Sequence, residues 1–291
     1  MGSSRASIGW IMALWTALTR AGQHGFTFHG QGKREKDAED RHLFVHYFSN
    51  ASERPFATGG TYLEMGAADG VRISNTYFFE KYLNWSGLLI EPSAAFVHLN
   101  RTRGRNTRNT LVNEACCNKS GTVEFAEGAN TDVSGIVSLM STAHAHRFHA
   151  SSTQEVSRAG NSTARMVRCR PLASMVADAG IKVIHLFSLD VEGAELSVLE
   201  TFDWSVPIGV LLVELDGKSR AKDEGVRALL RSRGMRFVRR MGFRKYSEIW
   251  EGFLTSKVDS HTGWHRLRDH GSHIAGLPGH VRATPWLTVL Q

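Results

Sequence analysis

The stretch YLEMGAADG, Tyr62–Gly70, decides the fold class of the chain. It passes from a short strand-like run into a glycine-rich bend, because glycine adopts backbone conformations that other residues avoid. A helix with an aromatic face follows, and GLLIEP, Gly87–Pro92, then predicts a second buried strand. Strand, turn, helix and strand in this order are typical of a right-handed crossover in a parallel sheet.

The alternation of strands and helices resumes in the second half of the chain. A buried strand over Val183–Asp190 precedes a helix over Ala194–Phe202, and the apolar run Ile208–Asp216 predicts the next strand. A further helix and two strands follow. The intervening Gly128–Arg165 has no clear period, and its length predicts a lid, an insertion or a partly helical segment. The sequence therefore predicts an α/β domain with a mostly parallel sheet.

Three regions are expected along the 291 residues. The folded domain begins with a helix near His42–Phe48, and the polar, glycine-rich stretch Gly22–Asp40 before it is typical of a linker. Beyond Thr255 the composition has no clear period and predicts a loose tail. The expected boundaries are residues 1–36 for a leader and linker, 37–254 for the domain and 255–291 for the tail.

The leader carries an apolar run, Ile8–Leu18, preceded by Arg5. This is the form of a secretory signal or a short signal-anchor that would allow membrane association, with an ordinary amphipathic or disordered leader as the alternative. Secretion is slightly favoured over a cytoplasmic location, because half of the asparagines lie in glycosylation sequons. These sequons are at Asn50, Asn84, Asn100, Asn118 and Asn161.

The cysteines and the net charge indicate the redox compartment and the partners of the protein less clearly. Cys169 can form a disulfide with Cys116 or Cys117 in an oxidising compartment, or all three can be buried thiols. The net charge of +7 is spread over several short basic runs, without a basic helix that carries interleaved aromatic residues. We therefore expect no nucleic-acid partner, and the oligomeric state is left open.

The glycine bend and the acid that ends the next strand together indicate a nucleoside-containing cofactor. Glu91 follows the glycines by about 20 residues, where doubly wound folds offer a carboxylate to ribose hydroxyls. A dinucleotide would need a second glycine where Ala68 stands, and Glu64 and Asp69 place negative charge where its phosphates would lie. These acids suit S-adenosylmethionine (SAM), which carries an ammonium and a sulfonium, better than NAD.

A second acidic turn follows the strand HLFSLD, His185–Asp190. The carboxyl edge of an open α/β sheet is where ligands bind, so Asp190 is expected to face the cationic centre of SAM or to orient an acceptor hydroxyl. Glu192 continues the turn and can equally be a solvated acid. Glu195 falls in the first turn of the next helix, where an acid also suits the helix dipole.

These motifs resemble the FkbM-type SAM-dependent methyltransferases over roughly Gly59–Glu251. The resemblance implies the class I methyltransferase Rossmann-like fold, a seven-stranded sheet with helices on both faces and an antiparallel last strand. It also implies methylation of an oxygen, often on a sugar or a natural product. In the resemblance, Glu64, Gly66 and Gly70 match the cofactor loop, Glu91 matches the ribose acid, and Asp190 and Glu192 match the acidic motif after the strand. We expect the cofactor to be bound by Glu64, Gly66, Ala67, Asp69, Gly70, Asn75, Glu91 and Asp190.

The expected reaction is methyl transfer from SAM to a hydroxyl on a sugar, lipid or other small molecule, without a metal. Asp190 and Glu192 are the candidate catalytic bases, ahead of His144, His146 and His149. Glu214 can line the acceptor side or be structural. One alternative is a secretory-pathway protein that keeps this fold but only binds cargo, and the other is an NAD-linked oxidoreductase.

Overall fold

The computed structural model describes residues 26–48, 58–127, 134–140, 163–215, 217–242 and 246–252, together with the backbone of two short strands at 265–266 and 288–289. The apolar run of the leader and the histidines at positions 144, 146 and 149 lie outside these residues. No helix within the described ranges is both long and apolar enough to span a membrane.

The helices are short and follow the strands in alternation. They are α1 (Glu39–Leu43), α2 (Tyr77–Leu83), α3 (Phe96–Arg103), α4 (Leu172–Asp178), α5 (Glu195–Glu200) and α6 (Arg220–Ser232). A 3₁₀ turn, Glu35–Asp37, precedes α1, and a π-helical turn, Phe44–Phe48, continues it.

The strands form one large sheet, one small sheet and an isolated pair. They are β1 (Thr61–Met65), β2 (Ser86–Ile90), β3 (Thr110–Val112), β4 (Ala115–Cys116), β5 (Gly121–Glu127), β6 (Gly135–Ile136), β7 (Thr163–Arg170), β8 (Ile184–Leu189), β9 (Ile208–Glu214), β10 (Arg236–Met241), β11 (Ser247–Glu251), β12 (His265–Arg266) and β13 (Thr288–Val289). The pair β12 and β13 is antiparallel and lies in the C-terminal region.

The large sheet has seven strands in the order β10-β11-β9-β8-β1-β2-β3. Its strands are parallel except for β11, which runs antiparallel to both β9 and β10. Every residue of β8 is buried, as expected for a central strand covered on both faces. This arrangement confirms the predicted α/β class and the seven-stranded, mostly parallel sheet with an antiparallel last strand.

Side chains alternate between two hydrophobic cores because successive strand residues point to opposite faces. In β1, Leu63 packs into the core that contains α4, α5 and α6, while Tyr62 packs into the core that contains α1, α2 and α3. The sheet is therefore covered by helices on both faces, as the sequence predicts.

The small sheet, with strand order β4-β7-β5-β6, is inserted between β3 and α4. The sequence predicts one strand over Asn109–Cys117, but the structure divides that stretch between the two sheets. Pairing within the small sheet is non-local, with Gly121 opposite Cys169, so no local pattern reveals it. A disulfide joins Cys117 to Cys169, and Cys116 is a buried free thiol.

The expected linker over Gly22–Asp40 is wrong for residues 26–40. Phe28 stacks on Phe78 of α2 with ring centroids 4.4 Å apart, and Phe26 meets the same ring edge-on at 5.5 Å. The helix predicted from His42 begins at Glu39, whose side chain is buried. A few aromatic residues within a polar composition are enough to anchor this N-terminal segment, residues 26–40, on the domain.

Candidate active site

A cleft opens where β1, β2 and β8 end, with the small sheet as its outer wall. It encloses about 660 Å³, counting the space that is open to solvent. Apolar side chains line most of it, and the polar groups come from the ends of the strands. Its lining includes Met65, Gly66, Ala68, Ile90, Glu91, Cys116, Phe125, Ile136, Asp190, Glu192 and Val198.

Gly66 brings the backbone of the glycine bend against the end of β8. Its φ is +77°, and a Cβ at this position would lie 1.9 Å from the backbone oxygen of Asp190. The backbone N–H groups of Gly66 and Ala67 donate to the carbonyl of Ile90 at 3.1 and 3.3 Å. The bend is thus fastened to both neighbouring strands, and only glycine fits at its closest approach.

Glu91 is held at the end of β2 by the backbone. One carboxylate oxygen accepts the N–H of Ala68 at 2.7 Å, and the other accepts the N–H of Ser93 at 2.7 Å. Burial raises the pKa of Glu91, and these hydrogen bonds oppose the rise. The carboxylate therefore lines the cleft in a fixed orientation, and each of its oxygens keeps a further lone pair for a ligand hydroxyl.

Glu64 does not line the cleft in the described residues. Its carboxylate accepts hydrogen bonds from the hydroxyls of Ser74 (2.8 Å) and Thr76 (2.6 Å), and from the backbone N–H of Asn75 (2.8 Å). The guanidinium of Arg103 lies 3.8 Å away. In this structure Glu64 fixes the entry to α2, which is a structural role that the sequence does not separate from cofactor binding.

Three other predicted cofactor residues also make contacts outside the cleft. Asp69 accepts the backbone N–H of Val71 at 2.9 Å, and so closes the loop on itself. Gly70, with φ of +79°, lies where a Cβ would be 2.5 Å from Leu99 of α3. The buried Asn75 donates to Glu39 and Ser188, both at 3.2 Å.

The acidic turn after β8 divides into residues that line the cleft and one that supports them. Asp190 and Glu192 line the cleft, with Glu192 in the left-handed region at φ +54°. Glu195 instead accepts the backbone N–H of Gly193 at 3.0 Å and of Val191 at 3.3 Å, and burial raises its pKa to about 7. Glu195 therefore shapes the turn.

Asp190 belongs to a carboxyl pair that the sequence does not predict. Its carboxyl group lies beside that of Glu214 at the end of β9, because a single amide nitrogen bonds to both. The amide nitrogen of Gln31 donates to Asp190 at 3.0 Å and to Glu214 at 3.2 Å. Burial, followed by the charge of Glu214, raises the pKa of Asp190 well above its usual range.

Gln31 is the site residue that sequence reasoning misses. It lies in the N-terminal segment, within a polar stretch that carries no motif. The packing of Phe26 and Phe28 and a backbone bridge between Gly30 and Ile73 hold this segment across the ends of the strands. A weak signal was present in these two aromatic residues, which are unusual in a free linker.

The family model described as the methyltransferase FkbM domain matches residues 64–244. The chain belongs to the FkbM methyltransferase family. It is a SAM-dependent methyltransferase, and the match confirms the resemblance read from its motifs. No curated protein is detectably similar to the chain.

The cleft of the methyltransferase fits the cofactor of its family. The close backbone approach at Gly66, the fixed carboxylate of Glu91 and the apolar walls suit an adenosyl group with ribose hydroxyls. Asp190 and Glu192 supply negative charge at the same cleft. We expect Glu91 to hold the ribose and the backbone of the glycine bend to lie against the rest of the cofactor.

Proposed function

We propose that the methyltransferase methylates a hydroxyl oxygen on a sugar, lipid or other small molecule, with Asp190 as the general base. The observation that carries this proposal is the pair formed by Asp190 and Glu214 at the end of adjacent strands. The pair lies at the same edge of the sheet as Gly66 and Glu91. A nucleophilic oxygen held there would be close to both the donor site and a proton acceptor.

Bound SAM supplies a methyl group that is activated by its sulfonium. The Asp190 carboxylate would accept the proton of the acceptor hydroxyl as that oxygen takes up the methyl group, and Glu91 with the bend at Gly66 would hold the cofactor, which would leave as its thioether. A general base works best when its pKa lies near the working pH. Burial and the neighbouring Glu214 raise the pKa of Asp190, which makes its carboxylate a stronger base than that of an ordinary exposed aspartate.

Gln31 and Glu214 adjust the charge of this base. Two carboxyl groups this close resist being ionised together, so in this proposal the pair carries one negative charge. The Gln31 N–H donates to both carboxyl groups and so stabilises that charge. Gln31 is a positioning residue in this proposal, because it acts through the two carboxyl groups.

The test is transfer of radiolabelled methyl groups from SAM to pooled glycan, lipid and small-molecule extracts. Incorporation that survives base treatment, which cleaves methyl esters but leaves methyl ethers intact, supports O-methylation of a hydroxyl. Label that is found only on nitrogen, carbon or carboxylate positions would overturn the proposal.

The cargo-binding alternative makes the opposite prediction for the cofactor. Gly66, Glu91 and Asp190 all line or border one cleft, which favours a working donor site over a decayed one. Calorimetric titration with SAM separates the two hypotheses. Absence of SAM binding to the folded chain would favour a scaffold, and saturable binding with methyl transfer favours the enzyme.

We further propose that the protein works in the secretory pathway, where its acceptor is a small molecule or glycan. The Cys117–Cys169 disulfide supports this, because structural disulfides persist in oxidising compartments. The sequon asparagines Asn84, Asn100 and Asn118 are exposed, as acceptance of a glycan requires. Loss of electrophoretic mass after glycosidase treatment of the protein expressed in a eukaryotic host would support the location, and a cytosolic, unglycosylated product would contradict it.

A further inference from the structure

A groove separates the N-terminal helical region from the edge strand β10. It encloses about 1220 Å³, counting the space that is open to solvent. One wall consists of residues from the 3₁₀ turn and from α1 with its π-helical continuation, and the other wall is the end of β10. None of the described residues that line it also lines the methyl-transfer cleft.

The groove carries a concentration of positive charge. Five cationic side chains line it, from Lys33, Lys36, Arg41, Arg239 and Arg240. Asp37 supplies the one carboxylate among its described lining residues, and it is already paired with Arg34 at 2.9 Å. Arg240 is partly neutralised by Glu248 at 2.9 Å. Arg41 and Arg239 line the groove from its two walls, and a bound anion would reduce the repulsion between these like charges.

Two histidines show the effect of this charge. The imidazole rings of His42 and His46 lie 4.1 Å apart between centroids and line the groove beside Arg41. Burial lowers the pKa of His42 to about 4, with further lowering from His46, Arg239 and Arg41. Burial also lowers the pKa of His46, and a neutral imidazole keeps one N–H group that can donate to an anionic oxygen.

The shape and the side chains of the groove select among anionic ligands. Two arginines from opposite walls, Arg41 and Arg239, offer planar forks that match phosphate and sulfate oxygens. No phenylalanine, tyrosine or tryptophan occurs among its described lining residues to stack on nucleic-acid bases. A concave groove also admits a small ligand more readily than a flat membrane surface.

We propose that this groove binds a small ligand that carries two or more phosphate or sulfate groups. The five cations and two imidazoles lie along both walls, so one anionic group would contact each wall. The site does not depend on the methyl-transfer chemistry, since the two cavities have separate linings. The groove brings together five of the cationic side chains of the chain.

The test is calorimetric titration of the full chain with inorganic pyrophosphate and, separately, with a disulfated disaccharide at about 0.15 M salt. At least one of the two probes is expected to bind saturably. The double variant Arg41→Gln/Arg239→Gln should weaken that binding at least tenfold. The matched control, Arg101→Gln/Arg105→Gln, removes two exposed arginines of α3 and the following turn and should change it less than twofold.

The remaining outcomes decide against the proposal. Failure of both probes to bind the wild-type chain, or equal loss in the two double variants, would overturn it. Tighter binding of single-stranded RNA or of phosphatidylserine vesicles than of either probe, abolished by the groove variant, would reassign the groove to those partners. Unchanged SAM binding in both double variants shows that the fold and the donor site are intact.

Discussion

The side-chain amide of Gln31 lies 3.0 Å from a carboxylate oxygen of Asp190, although 159 positions separate the two residues in the sequence. The same nitrogen contacts Glu214, 3.2 Å away. An amide donor beside two carboxyl groups stabilises their ionised form. The N-terminal segment therefore contacts the edge of the sheet at which the cleft opens.

Replacing Gln31 should move the pH dependence of methyl transfer. In Gln31→Met the donor is lost while the length of the side chain is nearly kept, so the pKa of the carboxyl pair rises. The acidic limb of the kcat profile should shift to higher pH by about one unit, since a hydrogen bond to a charged group stabilises it by about 1.5–3 kcal/mol. The profile of Gln31→Asn is expected to lie between those of Gln31→Met and the wild type. Superimposable profiles for all three proteins would show that Gln31 does not affect the ionisation of the carboxyl pair.

Replacing the proposed base should lower turnover without loss of the cofactor. Asp190→Asn keeps the shape of the side chain but cannot accept the hydroxyl proton, so kcat should fall about 10²–10⁴-fold. Asp190→Asn also removes negative charge from the cofactor cleft, so calorimetry should still show SAM binding, weakened by no more than about tenfold, which corresponds to about 1.4 kcal/mol. The control is Asp178→Asn at an exposed position, which should leave kcat unchanged. Normal turnover in Asp190→Asn would exclude the proposed mechanism.

Glu91 is expected to accept hydrogen bonds from the ribose hydroxyls of the cofactor. Glu91→Gln should weaken binding of S-adenosylhomocysteine about tenfold, and a 2′,3′-dideoxy analogue should bind the variant and the wild type almost equally. The reasoning is that the variant and the analogue each remove the same hydrogen bonds, worth about 1.5–3 kcal/mol to a charged acceptor. Additive losses in this cycle would show that Glu91 does not contact the ribose.

Two glycines with similar backbone angles offer a matched test of the close approach at the bend. Gly66 has φ of +77° and a blocked Cβ position, whereas Gly180 has φ of +67° with nothing within 4 Å. Gly180→Ala should cost about 1 kcal/mol of unfolding free energy from backbone strain alone. Gly66→Ala should cost at least about 2 kcal/mol more, because the new methyl group meets the Asp190 carbonyl. Equal losses in urea denaturation would contradict the observed contact.

Glu39 should make stability depend on pH. Burial raises its pKa to about 7 from an unfolded value of 4.5, so the folded state retains a proton that the unfolded state releases. The stabilisation is present below pH 4.5 and is lost as the pH rises through 7, by about 2–3 kcal/mol. Glu39→Gln, which resembles the protonated acid, should therefore match the wild type at pH 4 and exceed it at pH 8 in denaturant titrations. The exposed control Glu35→Gln should have the same unfolding free energy as the wild type at both pH values. If the difference in unfolding free energy between Glu39→Gln and the wild type does not change with pH, Glu39 ionises normally.

Local sequence patterns predict the parts of this fold that depend on short-range chemistry. The turn at Gly66 and the acids that end β2 and β8 follow from residue type and spacing, and the structure places Gly66, Glu91 and Asp190 around one cleft. The mostly parallel order of the sheet follows from the alternation of strands and helices. From its place in the motif, Glu64 is predicted to bind the cofactor, but in the structure its carboxylate binds the residues that precede α2. The sequence pattern does not separate these two roles.

Contacts between distant parts of the chain could not be predicted in this way. The small sheet depends on pairing β5 with β7 across more than 35 residues, and no local pattern specifies which strands pair. Gln31 reaches Asp190 because Phe26 and Phe28 dock on α2, which is a tertiary contact. Both misses concern contacts between residues that are far apart in the sequence and close to the cleft.

The position of the antiparallel strand has a practical consequence for anyone who shortens this protein. β11, Ser247–Glu251, lies between β9 and β10, yet it falls outside the residues that the family model matches. A fragment trimmed to residues 64–244 would lose this interior strand with its fully buried Trp250, and the Gln31 amide as well. Such a fragment is expected to be insoluble on expression, and boundaries for recombinant production should be chosen to include residues 26–252.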